Sequence, residues 1–219
     1  MYESLINVNG NQVPTLDILL MLTIISLLPS ILVMLTSFMR TIIILSFLRS
    51  ALGIQQTPPN MVLVGIALFL TLFIMDPVIK DINTNAYTPY KNQEITQEEA
   101  LKRAQVPIKS FMLKQTEKNT LELFADMSKI EPVEDVEDLP MTVVIPSFMT
   151  SELKRAFTAG FLLYIPFLLI DIIVSSTLMS MGMMMLPPSM ISLPFKLLLF
   201  VTVDGWQLLF ASIVNSFRW

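Results

Sequence analysis

Cysteine and histidine are both absent from the 219 residues. Their absence removes disulfides, thiolate nucleophiles, the common zinc sites and the usual general base of neutral pH. Charge is also scarce, at 15% of residues, and the net charge of -4 includes no basic run of the kind that grips a phosphate backbone. No nucleic-acid partner is expected. The serines sit among small-residue packing positions with no Gly-x-Ser-x-Gly elbow, so no nucleophile has a positioned base. No catalytic residue, cofactor or metal ligand is expected, and the chain does not read as an enzyme. The N-terminus, Met1 to Pro14, has neither a basic leader region nor a small-residue cleavage site, so the first apolar segment is expected to direct its own insertion.

What the chain has in abundance is apolar surface: 53% hydrophobic residues and a mean hydropathy of +0.66. The apolar residues fall in blocks. Residues 16–48 carry only Asp17 and Arg40 as charges, and residues 50–75 and 156–217 are nearly as sparse. Each block exceeds the roughly 20 residues that span a bilayer. The composition predicts an all-α membrane protein with four long, Pro-interrupted hydrophobic helices in two hairpins and a small helical soluble insertion.

The expected organisation is an N-terminal tail (1–15), a first hairpin (16–80), a helical extramembrane domain on the periplasmic side (81–151) and a second hairpin (152–219). The apolar run from 16 to 49 is too long for one simple span, so Pro29 is expected to kink or split it. Gly53 and Pro58-Pro59 mark the turn into a second helix over 61–78. The 81–151 region holds 12 acidic and seven basic residues. In it Thr96-Gln-Glu-Glu99 fits a capping box, and Ala100, Leu101, Ala104, Ile108, Phe111 and Met112 share a face that Pro107 should bend or interrupt. A second helix over 117–129 should turn Leu121, Phe124 and Met127 inward. Glu131 to Pro140 reads as an acidic, solvated linker. A helix over 148–178 should begin in water, because Glu152, Lys154 and Arg155 lie in its first two turns. A last helix is expected over 191–217. Arg40 and Arg49 place the first turn on the cytoplasmic side and both termini with the insertion outside.

Six charges lie in or beside apolar segments: Arg40, Arg49, Asp76, Asp171, Lys196 and Asp204. Such groups need partners or water. They could form a proton or ion relay, but both signs occur on the last two helices, so pairing that fixes register and assembly is the preferred reading. Ser175, Ser176, Ser180 and Gly182, with Gly65 and Ala67, should let helices approach closely and favour oligomers.

Six of the 16 methionines crowd into residues 179–190, with no charge among them. Packing at a helix end would be the plain explanation. Gly182 and Pro187-Pro188 break the helix where the methionines are densest, which leaves a flexible, polarizable loop able to yield around irregular surfaces. Met183 to Met185 are the expected closest constriction, with Met179 and Met190 packing at the helix ends.

The runs Leu28-Pro-Ser-Ile-Leu-Val-Met-Leu-Thr-Ser-Phe-Met-Arg40, Leu48-Arg-Ser-Ala-Leu-Gly-Ile-Gln-Gln-Thr-Pro-Pro-Asn60, Met179-Ser-Met-Gly-Met-Met-Met-Leu-Pro-Pro188, Ser192-Leu-Pro-Phe-Lys-Leu-Leu-Leu-Phe200 and Asp204-Gly-Trp206 resemble the FliP family of flagellar type III secretion export-gate proteins. The resemblance covers essentially residues 16–217. It implies a pentamer that assembles with FliQ and FliR, and with FlhB, into a helical pore in the flagellar basal body of the bacterial inner membrane. Unfolded flagellar subunits would be its cargo. It also implies that Met179, Met181, Met183, Met184 and Met185 form a pore gasket, and that helices assemble largely above the bilayer plane. An injectisome homologue of the same family and a small ion-coupled transporter using Asp171, Lys196 and Asp204 remain as alternatives.

Overall fold

The computed structural model describes residues 5–8, 11–54, 56–128, 135–183 and 186–217. Among these residues the regular structure is helical apart from a two-stranded antiparallel hairpin, β1 (Leu5–Val8) and β2 (Asn11–Pro14). The helices are α1 (Thr15–Leu35), α2 (Phe38–Leu52), α3 (Asn60–Ile82), α4 (Thr88–Lys91), α5 (Gln97–Gln115), α6 (Lys118–Ser128), α7 (Met141–Ser180), α8 (Pro188–Thr202) and α9 (Gly205–Asn215). A π-helical turn over Asn83–Tyr87 joins α3 to α4, so the rod from Asn60 to Lys91 is continuous for 32 residues. That rod and α7, of 40 residues, are long and apolar enough to cross a membrane. Two bent pairs, α1 with α2 and α8 with α9, raise the count to four if each is one span.

The two sharp bends fall where backbone groups are captured, not at prolines. Pro29 lies inside α1, and the chain bends by 72° at Thr36 and Ser37 instead. There the Thr36 hydroxyl donates to the carbonyl of Leu32 and accepts from the amide of Phe38, closing one helix and opening the next. The second break, of 65°, falls at Asp204, whose φ of 52° is left-handed. Gly205 follows because a Cβ there would lie 2.3 Å from the Phe200 ring and 2.7 Å from its carbonyl oxygen. Pro107 interrupts nothing: α5 runs through it, held by buried Phe111 and Met112 beyond it. One proline removes one hydrogen bond, and packing on either side keeps the helix whole. The long seventh helix likewise starts at Met141, well before the expected Phe148, and passes through Pro146 and Pro166.

The insertion is helical. The Thr96 hydroxyl caps α5 by accepting from the Glu99 amide at 3.3 Å. Leu101 and Met127 face outward, contrary to the expected faces, while Phe111, Met112 and the partly buried Leu121 pack inward. The amide of Glu117 donates to the Ser151 hydroxyl at 3.0 Å, and Lys154 pairs with Glu117 at 2.6 Å, so the insertion lies against the first third of α7. The acidic piece is described from Asp135, which caps a 3-10 turn over Val136–Asp138; residues 131–134 lie outside the described residues. Close helix approach occurs at Gly160, where a Cβ would stand 2.5 Å from the Phe47 ring. Gly65 and Gly182, expected to serve this purpose, have open space around them.

At the centre of the bundle lies a buried ion pair. Arg40 is 2% exposed and Glu152 fully buried. The guanidinium grips the carboxylate with two N–H groups, Nε to Oε2 at 2.8 Å and Nη2 to Oε1. Nη1 donates to the carbonyl and hydroxyl of Ser216 at 3.1 and 3.0 Å, and the Phe217 ring lies 3.9 Å beneath the guanidinium carbon. Phe217 in turn stacks on Phe111, which meets Phe148 edge-on. Glu152 therefore does not stand in water: with α7 beginning at Met141, it lies three turns inside the helix.

Removing one partner strands the other charge in an apolar core, at a cost of about 3–5 kcal/mol. Glu152→Ala or Arg40→Ala is expected to lower the melting temperature of the detergent-solubilised chain by on the order of 10 °C. The double variant Arg40→Met/Glu152→Leu should recover much of that loss. Melting of the four proteins checks both statements.

Candidate functional site

Two features occupy one end of the bundle: the Met-rich loop and a polar cavity beside its base. The loop follows from how α7 stops. Gly182, with φ of 73°, occupies the left-handed position after the helix, its amide donating to the Met179 carbonyl and that of Met183 to the Leu178 carbonyl, both at 3.0 Å. This 6→1 and 5→2 pairing is a Schellman cap, and it satisfies carbonyls that would otherwise be orphaned. Pro187 and Pro188 then start α8, where proline costs no hydrogen bond.

Met179, Met181, Met183 and Met190 are 62, 66, 40 and 71% exposed. Met179 and Met190 therefore do not pack at the helix ends within their own chain, because both project from α7 and α8 away from the core. Met184 and Met185 lie outside the described residues. No charge occurs between Asp171 and Lys196, so the whole tip is uncharged.

Below the tip, Lys196 ties three helices. The residue is 4% exposed, and its ammonium donates to Asp171 Oδ2 on α7 at 2.6 Å and to the Ala51 carbonyl at the end of α2 at 3.0 Å. The α2 terminus explains the second contact. Gly53 and Ile54 amides cap the carbonyls of Ser50 and Arg49, leaving Ala51 to be met by a side chain, and a cation suits the negative helix end. Asp171 and Lys196 line a cavity of about 720 Å³ with Arg49, Ser50, Tyr164, Ser175, Ser189 and Ser192. Arg49 donates Nη1 to Asn60 Oδ1 across the turn.

The six expected charges are thus not one cluster. Asp171, Lys196 and Arg49 share the cavity, and Arg40 sits in the separate core pair with Glu152, a partner the sequence reading left in water. The signal for it was present: an arginine in an uncharged run requires a carboxylate, and Glu152 follows Phe148 and Ser151 on the turns of one helix. Asp76 forms an exposed i,i+4 pair with Lys80 at 2.7 Å. Asp204, exposed at the bend, has no side-chain partner among the described residues. No group of three or more acidic side chains fit to hold a metal occurs among the described residues.

Lys196→Met leaves the Ala51 carbonyl without a donor and Asp171 without its cation, a loss of roughly 2 kcal/mol in local stability. Amide hydrogen exchange at the end of α2 and around Asp171 should accelerate, while Lys196→Arg, which keeps both bonds, should remain near the parent rate.

Sequence comparison with known proteins extends over nearly the whole chain. The FliP family model matches residues 21–213. The chain is 52% identical over 211 residues to the flagellar biosynthetic protein FliP of Aquifex aeolicus (strain VF5), covering 95% of this chain and 88% of the relative. It is 52% identical over 207 residues to the protein of that name from Bacillus subtilis (strain 168), covering 94% of both. The corresponding figures for Caulobacter vibrioides (strain ATCC 19089 / CIP 103742 / CB 15) are 48% over 223 residues, with 100% and 84% coverage. With the apolar rods, the core pair and the Met-rich tip all inside the matched span, the chain belongs to the FliP family.

Proposed function

We propose that this chain is a subunit of the flagellar type III export gate in the bacterial inner membrane, lining the passage for unfolded flagellar subunits. Family membership and relatives named for flagellar biosynthesis support a membrane-embedded role in the flagellar export apparatus, and those names describe no enzyme activity. They favour the flagellar reading over the injectisome one. The finer reading is carried by one observation: an exposed, uncharged, methionine-rich tip mounted on a fixed helix cap.

In a pentamer, five such tips would meet at the axis. A ring of thioethers offers no hydrogen bonds strong enough to hold hydrated ions, so the constriction dewets and blocks them. The same side chains rotate about three bonds and can rearrange around side chains of many shapes. Gasket and compliant passage then come from one composition. FliQ, FliR and FlhB are the neighbours that the family resemblance implies, and the exposed apolar residues of α1 and α7, such as Leu22, Ile24, Phe161 and Ile173, provide surface for lipid or such partners. Asp204 does not line the cavity that holds Asp171 and Lys196, which favours structural pairing over the relay of an ion-coupled transporter.

Replacing Met183, Met184 and Met185 together with alanine shortens the seal. Ion leakage in cells carrying the assembled gate should rise by about an order of magnitude, with motility reduced. Unchanged ion tightness would remove the gasket role.

A further inference from the structure

The cavity beside the Met-rich tip holds donors that meet no acceptor among the described residues of its own chain. Arg49, Lys196 and Asp171 are its charged lining residues, giving one positive charge in excess. Lys196 is matched by Asp171 at 2.6 Å, so the uncompensated group is Arg49, whose described partner is the neutral Asn60. Its remaining N–H groups have no acceptor among the described residues. The hydroxyls of Tyr164, Ser175 and Ser189, on the same walls, are also without hydrogen-bond partners there. A cation at the end of an apolar segment calls for an anion. One rich in acceptor oxygens would satisfy the guanidinium and the hydroxyls together.

We infer that this cavity binds the phosphate headgroup of an anionic glycerophospholipid. Its volume, about 720 Å³, falls in the range of small-ligand sites and admits a phosphoglycerol group. Arg49 stands in the last turn of α2, where an apolar helix gives way to a polar turn. Beside Asp171 on α7, Leu168 and Ile172 are exposed, which provides apolar surface for acyl chains leaving the cavity. Basic pockets between membrane helices recognise anionic lipids by this combination of headgroup charge and chain contact. Phosphate oxygens would accept from Arg49, Tyr164 and Ser189, with Asp171 kept from repelling them by its bond to Lys196. The site stands independently of whether the Met-rich tip seals a pore.

The test uses the full-length chain in neutral detergent, mixed with micelles containing phosphatidylglycerol or phosphatidylcholine, with retained lipid counted by native mass spectrometry. Saturable retention of phosphatidylglycerol, about tenfold above phosphatidylcholine, is expected. Arg49→Gln should abolish that preference and Arg49→Lys should keep most of it. Ser189→Glu, an exposed first-turn substitution compatible with folding, should fill the site with a tethered carboxylate and expel the lipid. Arg103→Gln on α5 should change nothing. Equal retention of the two lipids, or an undiminished preference in both Arg49→Gln and Ser189→Glu, overturns the assignment. So does thermal stabilisation by inorganic phosphate that matches that by phosphatidylglycerol, which would make the site one for free phosphate. A carboxylate of another gate subunit cross-linked to the cavity wall in the assembled complex, with no lipid retained, would likewise overturn it.

Discussion

The Arg40–Glu152 pair is the constraint around which the rest of the bundle is arranged. It joins α2 to α7 through two charge-assisted hydrogen bonds, takes in the C-terminal turn through Ser216 and Phe217, and reaches the insertion through Phe111. Three segments far apart in sequence, α2, α7 and the turn after α9, must be in place before all the donors of Arg40 are met. An unpaired charge in such a core is costly, whereas an apolar contact tolerates small shifts. The pair therefore contributes mainly to selecting one arrangement of long, greasy helices that could otherwise slide past one another.

The helix breaks follow similar logic. Six prolines occur inside helices without ending them, yet the two sharp bends occur at positions with no proline at all. At Thr36 a hydroxyl serves both sides of the break, and at Asp204 the backbone enters the left-handed region with Gly205 tucked beneath Phe200. What decides is where the freed backbone groups go. A proline frees one carbonyl and leaves the others paired; a break frees several, and needs a residue prepared to receive them.

This explains what was legible in the sequence. Apolar blocks, the Thr96 cap and the Gly182–Pro188 interruption are local patterns, and they appear in the structure close to where composition places them. The bends were not legible, because proline is a visible symbol and a hydroxyl poised between two helices is not. Glu152 was misread for a related reason: placing the helix start at Phe148 put its charges at a wet end, when seven further residues precede it. Among the site residues, the Asp171–Lys196 bond was suggested by opposite signs on adjacent helices. The role of Ala51 as a third partner depends on a carbonyl left over at the end of α2, which only the fold reveals.

The length of α7 adds a mechanical property to its chemistry. The insertion holds the helix near Ser151, and the first methionine of the tip, Met179, follows 28 residues later, a lever of about 42 Å. For a stiff arm of that length, a tilt of one degree at the anchored end carries the tip by roughly 0.7 Å, so a tilt of a few degrees displaces it by a few ångströms. In the pore proposed above, an aperture ringed by such levers would have its size set far from the opening itself.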